Sequence, residues 1–191
     1  FGLRPAFHPS GLDRAQALAN GIPSGFNTDI FKGQPVRYQT TAIGGTLGTI
    51  TPATTSGAWV GAFAGVQWTD TTGRARVSNY WPANTAYTTG SCVAYFYNDS
   101  NIVYEIQASG SMAQTTIGNE FNFASVTAGS TTTGLSACTL DHSSAVGSGS
   151  QGQMRVVDIA PYPGNDWGDS YTIVRVVCAQ SQFFGAFTAI A

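Results

Sequence analysis

Residues 92–107, CVAYFYNDSNIVYEIQ, contain two runs of aromatic and β-branched residues separated by four polar ones. Such runs are typical of β-strands. In the second run Ile102, Tyr104 and Ile106 alternate with a set that includes Glu105, so the three apolar side chains share one face of a strand. The polar segment between the runs favours a turn, because Asn and Asp side chains bond to nearby backbone. These residues therefore predict a β-hairpin.

Similar strand-like runs follow one another through most of the chain after Phe31. They are PVRYQTTAI (35–43), GTLGTITPA (45–53), AWVGAFAGVQW (58–68), RARVSNYW (74–81), GLSACTL (134–140), QMRVVDIA (153–160) and YTIVRVVCA (171–179). No convincing helical pattern interrupts them. Many short strands separated by turns indicate a mainly β protein, either an antiparallel β-barrel or a jelly-roll-like β-sandwich.

Two of these runs also predict how their strands are placed. VQWTDTTGRARV (66–77) predicts a second hairpin, with Asp70 and Gly73 at its bend. YTIVRVVC (171–178) is apolar on both faces apart from Arg175, which favours a central position in a sheet.

The first thirty residues differ from the rest because they are rich in proline and glycine. We expect residues 1–30 to form an extended arm and residues 31–191 to form the β domain. One short helix is predicted over residues 12–19, where Ser10 could cap the start and Gly21 could end it. The residues expected to contact a partner through this arm are Phe1, Leu3, Arg4, Phe7 and Phe26.

The composition points to an assembly protein. Charged residues make up 9% of the chain, against about 25% in a typical soluble domain. A surface with so little charge does little to repel its neighbours.

The only close basic pair is Arg74 and Arg76, so no Lys/Arg cluster suggests a nucleic-acid partner. No run of about 18 apolar residues predicts a membrane span, and the first residues lack the pattern of a signal peptide.

The sequence offers no convincing catalytic constellation. Asp141 and His142 are adjacent to two serines, whereas the members of a catalytic triad converge from separate places. Glu105 and Glu120 are the only glutamates, and Glu105 is expected to be a buried or interfacial carboxylate with a partner such as an arginine. We therefore predict that the chain is not an enzyme and uses no cofactor.

Metal binding is the weaker interpretation of the polar residues near the carboxyl end. Asn165, Asp166 and Asp169 could supply oxygen ligands for Ca²⁺, but the same stretch is also typical of a turn with glycines at unusual φ. We predict no metal site here. Three widely spaced cysteines, Cys92, Cys138 and Cys178, are expected to be buried thiols that pack as small apolar side chains.

Tryptophans favour a core or interface role, with sugar binding as the alternative. They are Trp59, Trp68, Trp81 and Trp167. Large rings dominate the energetics of cores and interfaces, but flat aromatic side chains also line the binding faces of carbohydrate-binding sandwiches. The residue types alone leave both roles open.

A set of segments in a constant order resembles the capsid cement, or head decoration, proteins of tailed bacteriophages. They are FGLRP (1–5), IFKGQPV (30–36), GTLGTI (45–50), GAFAGVQWTDTTG (61–73), SNYWPA (78–83), VAYFYNDSNIVYEIQA (93–108), TTTGLSACTLD (131–141) and NDWGDSYTIVRVV (165–177). The resemblance covers nearly the whole chain. The Gly/Ser-rich stretch at 147–152 departs from the family's pattern.

The resemblance implies a structural virion protein that binds the outer surface of a capsid and stabilises the major capsid protein lattice. Its partners would be the major capsid protein and other copies of itself, on a particle assembled in the cytoplasm of the bacterial host. Deletion of residues 1–30 is expected to abolish capsid binding and to leave the β domain folded. The alternatives are a phage tail or fibre component and a carbohydrate-binding β-sandwich module.

Overall fold

The computed structural model describes residues 1–11, 15–39 and 48–183. The strands in this part of the chain are β1 (Arg4–Phe7), β2 (Gln16–Ala19), β3 (Pro35–Tyr38), β4 (Ile50–Pro52), β5 (Gly61–Thr69), β6 (Ala75–Ser78), β7 (Val93–Tyr97), β8 (Val103–Gln107), β9 (Glu120–Phe121), β10 (Phe123–Ser125), β11 (Gly129–Ser130), β12 (Leu135–Ser136), β13 (Thr139–Leu140), β14 (Met154–Ile159) and β15 (Ile173–Cys178). A 3₁₀ turn lies at Gln114–Thr116. Within the described residues, no helix has the length and apolar character that crossing a bilayer requires.

Two larger antiparallel sheets organise the molecule. The five-stranded sheet has the order β1-β8-β15-β14-β9, and the six-stranded sheet has the order β2-β7-β5-β3-β4, with β6 also paired to β5. The predicted mainly β, antiparallel class is confirmed. The arrangement is sandwich-like, and the described strands do not close into a barrel. β15 is the middle strand of its sheet, as its apolar sequence predicts.

Two hydrophobic cores correspond to the two sheets. The first contains the inward side chains of β8 and β15, including Tyr104 and Val176, packed with Trp59. The second contains Phe63 and Phe96 from the six-stranded sheet together with residues outside the strands. Burial of each such side chain stabilises the fold by about 1.5–3 kcal/mol.

Trp59 and Trp81 are both fully buried, one in each core. Trp59 packs against the ring of Phe123 at 5.4 Å, and Trp81 against that of Trp68 at 5.7 Å, both edge to face. The core interpretation of these two tryptophans is therefore confirmed.

The hairpin predicted at 66–77 is confirmed. β5 pairs with β6 in a register that places Thr69 opposite Ala75. Asp70 stabilises the bend, because its Oδ1 accepts hydrogen bonds from the backbone N–H groups of Thr72 at 2.9 Å and Arg74 at 3.0 Å. Its Oδ2 accepts one from Arg76 at 2.9 Å.

The hairpin predicted at 92–107 is wrong. β7 pairs with β2 and β5 in the six-stranded sheet, whereas β8 pairs with β1 and β15 in the five-stranded sheet. Both strands exist as expected, and Ile102, Tyr104 and Ile106 are buried together in the first core. β7 and β8 do not pair with each other, since each pairs with strands more distant in the sequence. The polar segment between them, residues 98–101, therefore connects the two sheets.

The described residues among the first thirty contribute a strand to the edge of each of the two larger sheets. β1 pairs with β8, and β2 pairs with β7. Ile22, Phe26 and Ile30 belong to the second core. The helix predicted over residues 12–19 is wrong in its second half, because Gln16–Ala19 is a strand. Residues 12–14 lie outside the described part of the chain.

Candidate partner-binding surface

The five predicted contact residues divide into two groups. The side chains of Phe1 and Phe7 are 46% and 57% exposed, and Arg4 is also exposed. Leu3 and Phe26 are only 2% and 8% exposed, because they belong to the first and second cores. The structure therefore leaves Phe1, Arg4 and Phe7 available to a partner and assigns Leu3 and Phe26 to packing.

A cavity of about 420 Å³ lies beside the first residues of the chain. The backbone of the amino-terminal segment forms one side, where the Leu3 N–H donates to the carbonyl of Gly33 at 2.7 Å. A side chain at Gly2 could not fit, because a Cβ there would lie 2.4 Å from that same carbonyl oxygen. Glycine at this position thus lets the segment lie flat against its neighbour.

Other lining residues of the cavity come from distant parts of the sequence. Leu135 forms a parallel bridge with Lys32 and is 44% exposed. Tyr97, at the end of β7, also contributes to the lining. Sequence reasoning did not single out these three residues, because only the fold brings them beside Phe1.

The lining of this cavity is apolar with a cationic contribution. Arg4 and Lys32 are among its residues, and its described lining includes no Asp or Glu. Lys32 is exposed and is the only lysine of the chain. Lining of this kind suits an apolar group that lies close to a negative charge.

Glu105 on β8 lies between two arginines of the five-stranded sheet, one of which, Arg4, also lines this cavity. Arg4 on β1 and Arg175 on β15 are its register partners. The carboxylate accepts a hydrogen bond from the Tyr162 hydroxyl at 2.5 Å and lies 3.5 Å from Arg175 Nε. Arg4 in turn donates to the Tyr162 oxygen at 2.7 Å. The expected arginine partner is therefore confirmed, and the hydrogen bond to Glu105 raises the pKa of Tyr162.

Glu120, the second glutamate, is also part of a structural ion pair. Its side chain is fully buried, and its Oε1 lies 2.6 Å from Arg155 Nη2. Its Oε2 accepts the N–H of Gly152 at 2.7 Å. The two glutamates thus have separate sets of hydrogen-bond partners, and each holds neighbouring strands together.

The other candidate groups for chemistry are engaged in local turns. Asp141 accepts hydrogen bonds from the N–H and hydroxyl of Ser143 at 3.0 and 2.7 Å, whereas the ring of His142 contacts Ser109 Oγ at 2.9 Å. Aspartate, histidine and serine at 141–143 are therefore not arranged as a triad.

The polar residues considered as metal ligands belong to the turn before β15. The amide of Asn165 donates to the carbonyls of Ala160 and Ile173, both at 2.8 Å, and Asp169 accepts the N–H of Asp166 at 2.7 Å. The described residues contain no group of three or more His, Cys, Asp or Glu side chains placed to hold a metal ion.

The three cysteines are free thiols. Cys92 and Cys138 are buried, as predicted, and Cys178 is half-buried. Burial raises the pKa of Cys92 to about 11 and that of Cys178 to about 12, and it raises the pKa of Cys138 as well. The thiols are therefore protonated at neutral pH, which makes them poor nucleophiles.

Comparison with known proteins gives no relative: no family model matches the chain, and no curated protein or solved structure is significantly similar to it.

Proposed function

We propose that this chain is a structural protein of a tailed-phage particle, which binds the outside of the capsid and stabilises the major capsid protein lattice. The observation that supports this best is the apolar cavity beside the amino-terminal segment, with Phe1 and Leu135 both well exposed at its edge. Large apolar side chains grouped around a concavity are typical of a surface that another protein covers.

The contact would combine apolar burial with charge attraction. Insertion of an apolar side chain of the capsid subunit would remove Phe1 and Leu135 from water, which is favourable by about 25 cal/mol for each Å² of apolar surface buried. Lys32 forms no salt bridge with any described residue, so its ammonium group is available to a carboxylate of the partner. A weak contact of this kind is sufficient if copies of the chain are also linked to one another on the lattice, because linked contacts gain avidity.

The test is co-sedimentation of the purified chain with capsids assembled from the major capsid protein of the same phage. We expect the unmodified chain to bind, and Phe1→Ser or Leu135→Ser to weaken binding at least about fivefold. Val77→Ser is the matched control, because Val77 on β6 is 83% exposed but does not line the cavity. Lys32→Glu should also weaken binding and reduce its dependence on salt.

The outcomes separate the function from the surface. If the unmodified chain does not sediment with capsids, the proposed function is wrong. If it binds and the cavity variants bind equally well, the function stands but this surface does not carry it.

A further inference from the structure

A second depression, of about 610 Å³, lies on a different part of the molecule. It forms where the ends of β2 and β3 meet the segment that connects β7 to β8. Its described lining residues are Gln16, Tyr38, Asn98, Asp99, Asn101 and Phe183. This set combines two aromatic rings with three amides and one carboxylate, and it shares no residue with the cavity beside the amino-terminal segment.

The two rings of the depression are held in place by packing. Tyr38 and Phe183 contact each other edge to face, with ring centroids 5.6 Å apart. Tyr38 also packs against the buried ring of Phe96 at 6.0 Å, and its backbone N–H donates to Gln182 Oε1 at 2.7 Å. Phe183 remains 49% exposed. An exposed ring on a fixed support offers a flat apolar surface to a ligand.

The carboxylate of the depression already has partners. Asp99 Oδ1 accepts the backbone and side-chain N–H groups of Asn101 at 2.8 and 3.1 Å, and Asp99 Oδ2 lies 2.9 Å from His8 Nε2. These hydrogen bonds, with that from the Asn101 backbone the largest contribution, lower the pKa of Asp99. No Lys or Arg is among the described lining residues. The described lining therefore offers no Lys or Arg side chain to attract an anion.

The amides retain unused hydrogen-bonding groups. Asn98 donates to the Gln16 side-chain oxygen, which leaves the Gln16 amide N–H groups and the Asn98 oxygen without partners among the described residues. An amide offers both donors and acceptors. Neighbouring amides can therefore bind adjacent hydroxyl groups, each of which donates and accepts.

From this combination we propose that the depression binds a sugar ring of a neutral glycan. The C–H groups on one face of the sugar pack against the exposed ring of Phe183, and its hydroxyls bond to Gln16 and Asn98. A flat apolar face bordered by hydroxyls distinguishes sugars from purely apolar ligands. The lack of a cation among the described lining residues argues against phosphorylated ligands and nucleic acid. This inference does not depend on the proposed capsid role, since the two surfaces are separate.

The experiment uses the full chain on an array of neutral and acidic glycans, followed by saturation-transfer NMR with the neutral oligosaccharides that bind. We expect binding to one or more neutral glycans. Phe183→Ala and Gln16→Ala should each weaken it by about tenfold, because each removes one of the two kinds of contact. Tyr171→Ala is the matched control, since Tyr171 is 59% exposed but does not line the depression.

Three outcomes would overturn the proposal. They are no neutral glycan bound in either assay, binding confined to acidic glycans, and binding that survives both lining substitutions. The unfolding midpoint of each variant, followed by circular dichroism, separates loss of the site from loss of the fold.

Discussion

The fully buried carboxylate of Glu120 lies 2.6 Å from the guanidinium of Arg155, its register partner on the neighbouring strand. Removal of one member of a buried ion pair leaves the other charge without compensation, which is more damaging than removal of both.

We therefore predict that Arg155→Met lowers the free energy of unfolding by about 3 kcal/mol. The double variant Glu120→Gln, Arg155→Met should recover part of this loss, because no buried charge then remains. Urea denaturation measures both. Arg76→Met is the matched control in an exposed pair, since the Arg76 side chain is 51% exposed, and it should cost far less. Equal losses in the two arginine variants would contradict the prediction.

A second prediction concerns the close approach of β5 to the end of β7. A Cβ at Gly61 would lie 1.6 Å from the carbonyl oxygen of Tyr97, so the strands would have to separate. We expect Gly61→Ala to lower the free energy of unfolding by more than about 3 kcal/mol. At Gly147 an added Cβ meets nothing within 4 Å, and Gly147→Ala should change stability by less than about 0.5 kcal/mol. Denaturation of the two variants side by side checks this.

A third prediction concerns acid stability. The pKa of Asp70 lies well below its ordinary value of 3.8, first because of the hydrogen bond from the Thr72 hydroxyl and then because of that from the Arg74 backbone. A depressed folded-state pKa stabilises the protein above pH 3.8, and this contribution is lost as the pH falls below that value. Thermal melts between about pH 2 and 6 should therefore show a smaller acid-dependent loss in Asp70→Asn than in the unmodified chain. Identical pH profiles for the two proteins would show that Asp70 does not contribute to the pH dependence of stability.

A fourth prediction concerns the thiols. Because burial raises the pKa of Cys92 to about 11 and that of Cys178 to about 12, the native protein should react slowly with Ellman's reagent at pH 8. All three thiols should react promptly in guanidinium chloride. Cys178→Ser assigns any residual native reactivity, since Cys178 is the half-buried one. Rapid reaction of Cys92 or Cys138 in the native state would contradict their burial.

Local signals in the sequence predicted local structure well. The bend at Asp70 and Gly73 was identifiable because its hydrogen bonds lie within a few residues. The central position of β15 followed from its own apolar composition. The helix predicted over 12–19 is wrong in its second half, because pairing of Gln16–Ala19 with β7 outweighs a weak helical preference.

Features that depend on distant partners could not be predicted in the same way. Alternation along β7 and β8 identifies two strands but does not say which sheet each one joins. The sequence indicates that Glu105 needs a hydrogen-bond partner. It does not indicate that the donor is the Tyr162 hydroxyl, because only the fold brings these two residues together. Leu3 and Phe26 have the same apolar character as Phe1 and Phe7, and only the structure shows which pair is buried.

Pairing of β1 with β8 also has a consequence for biosynthesis. Pro5 finds its partner Tyr104 only after about a hundred further residues have been made. β1 must therefore wait, with its edge unpaired, while the described strands of the six-stranded sheet emerge. We expect the nascent chain to fold late and to be vulnerable to aggregation until then.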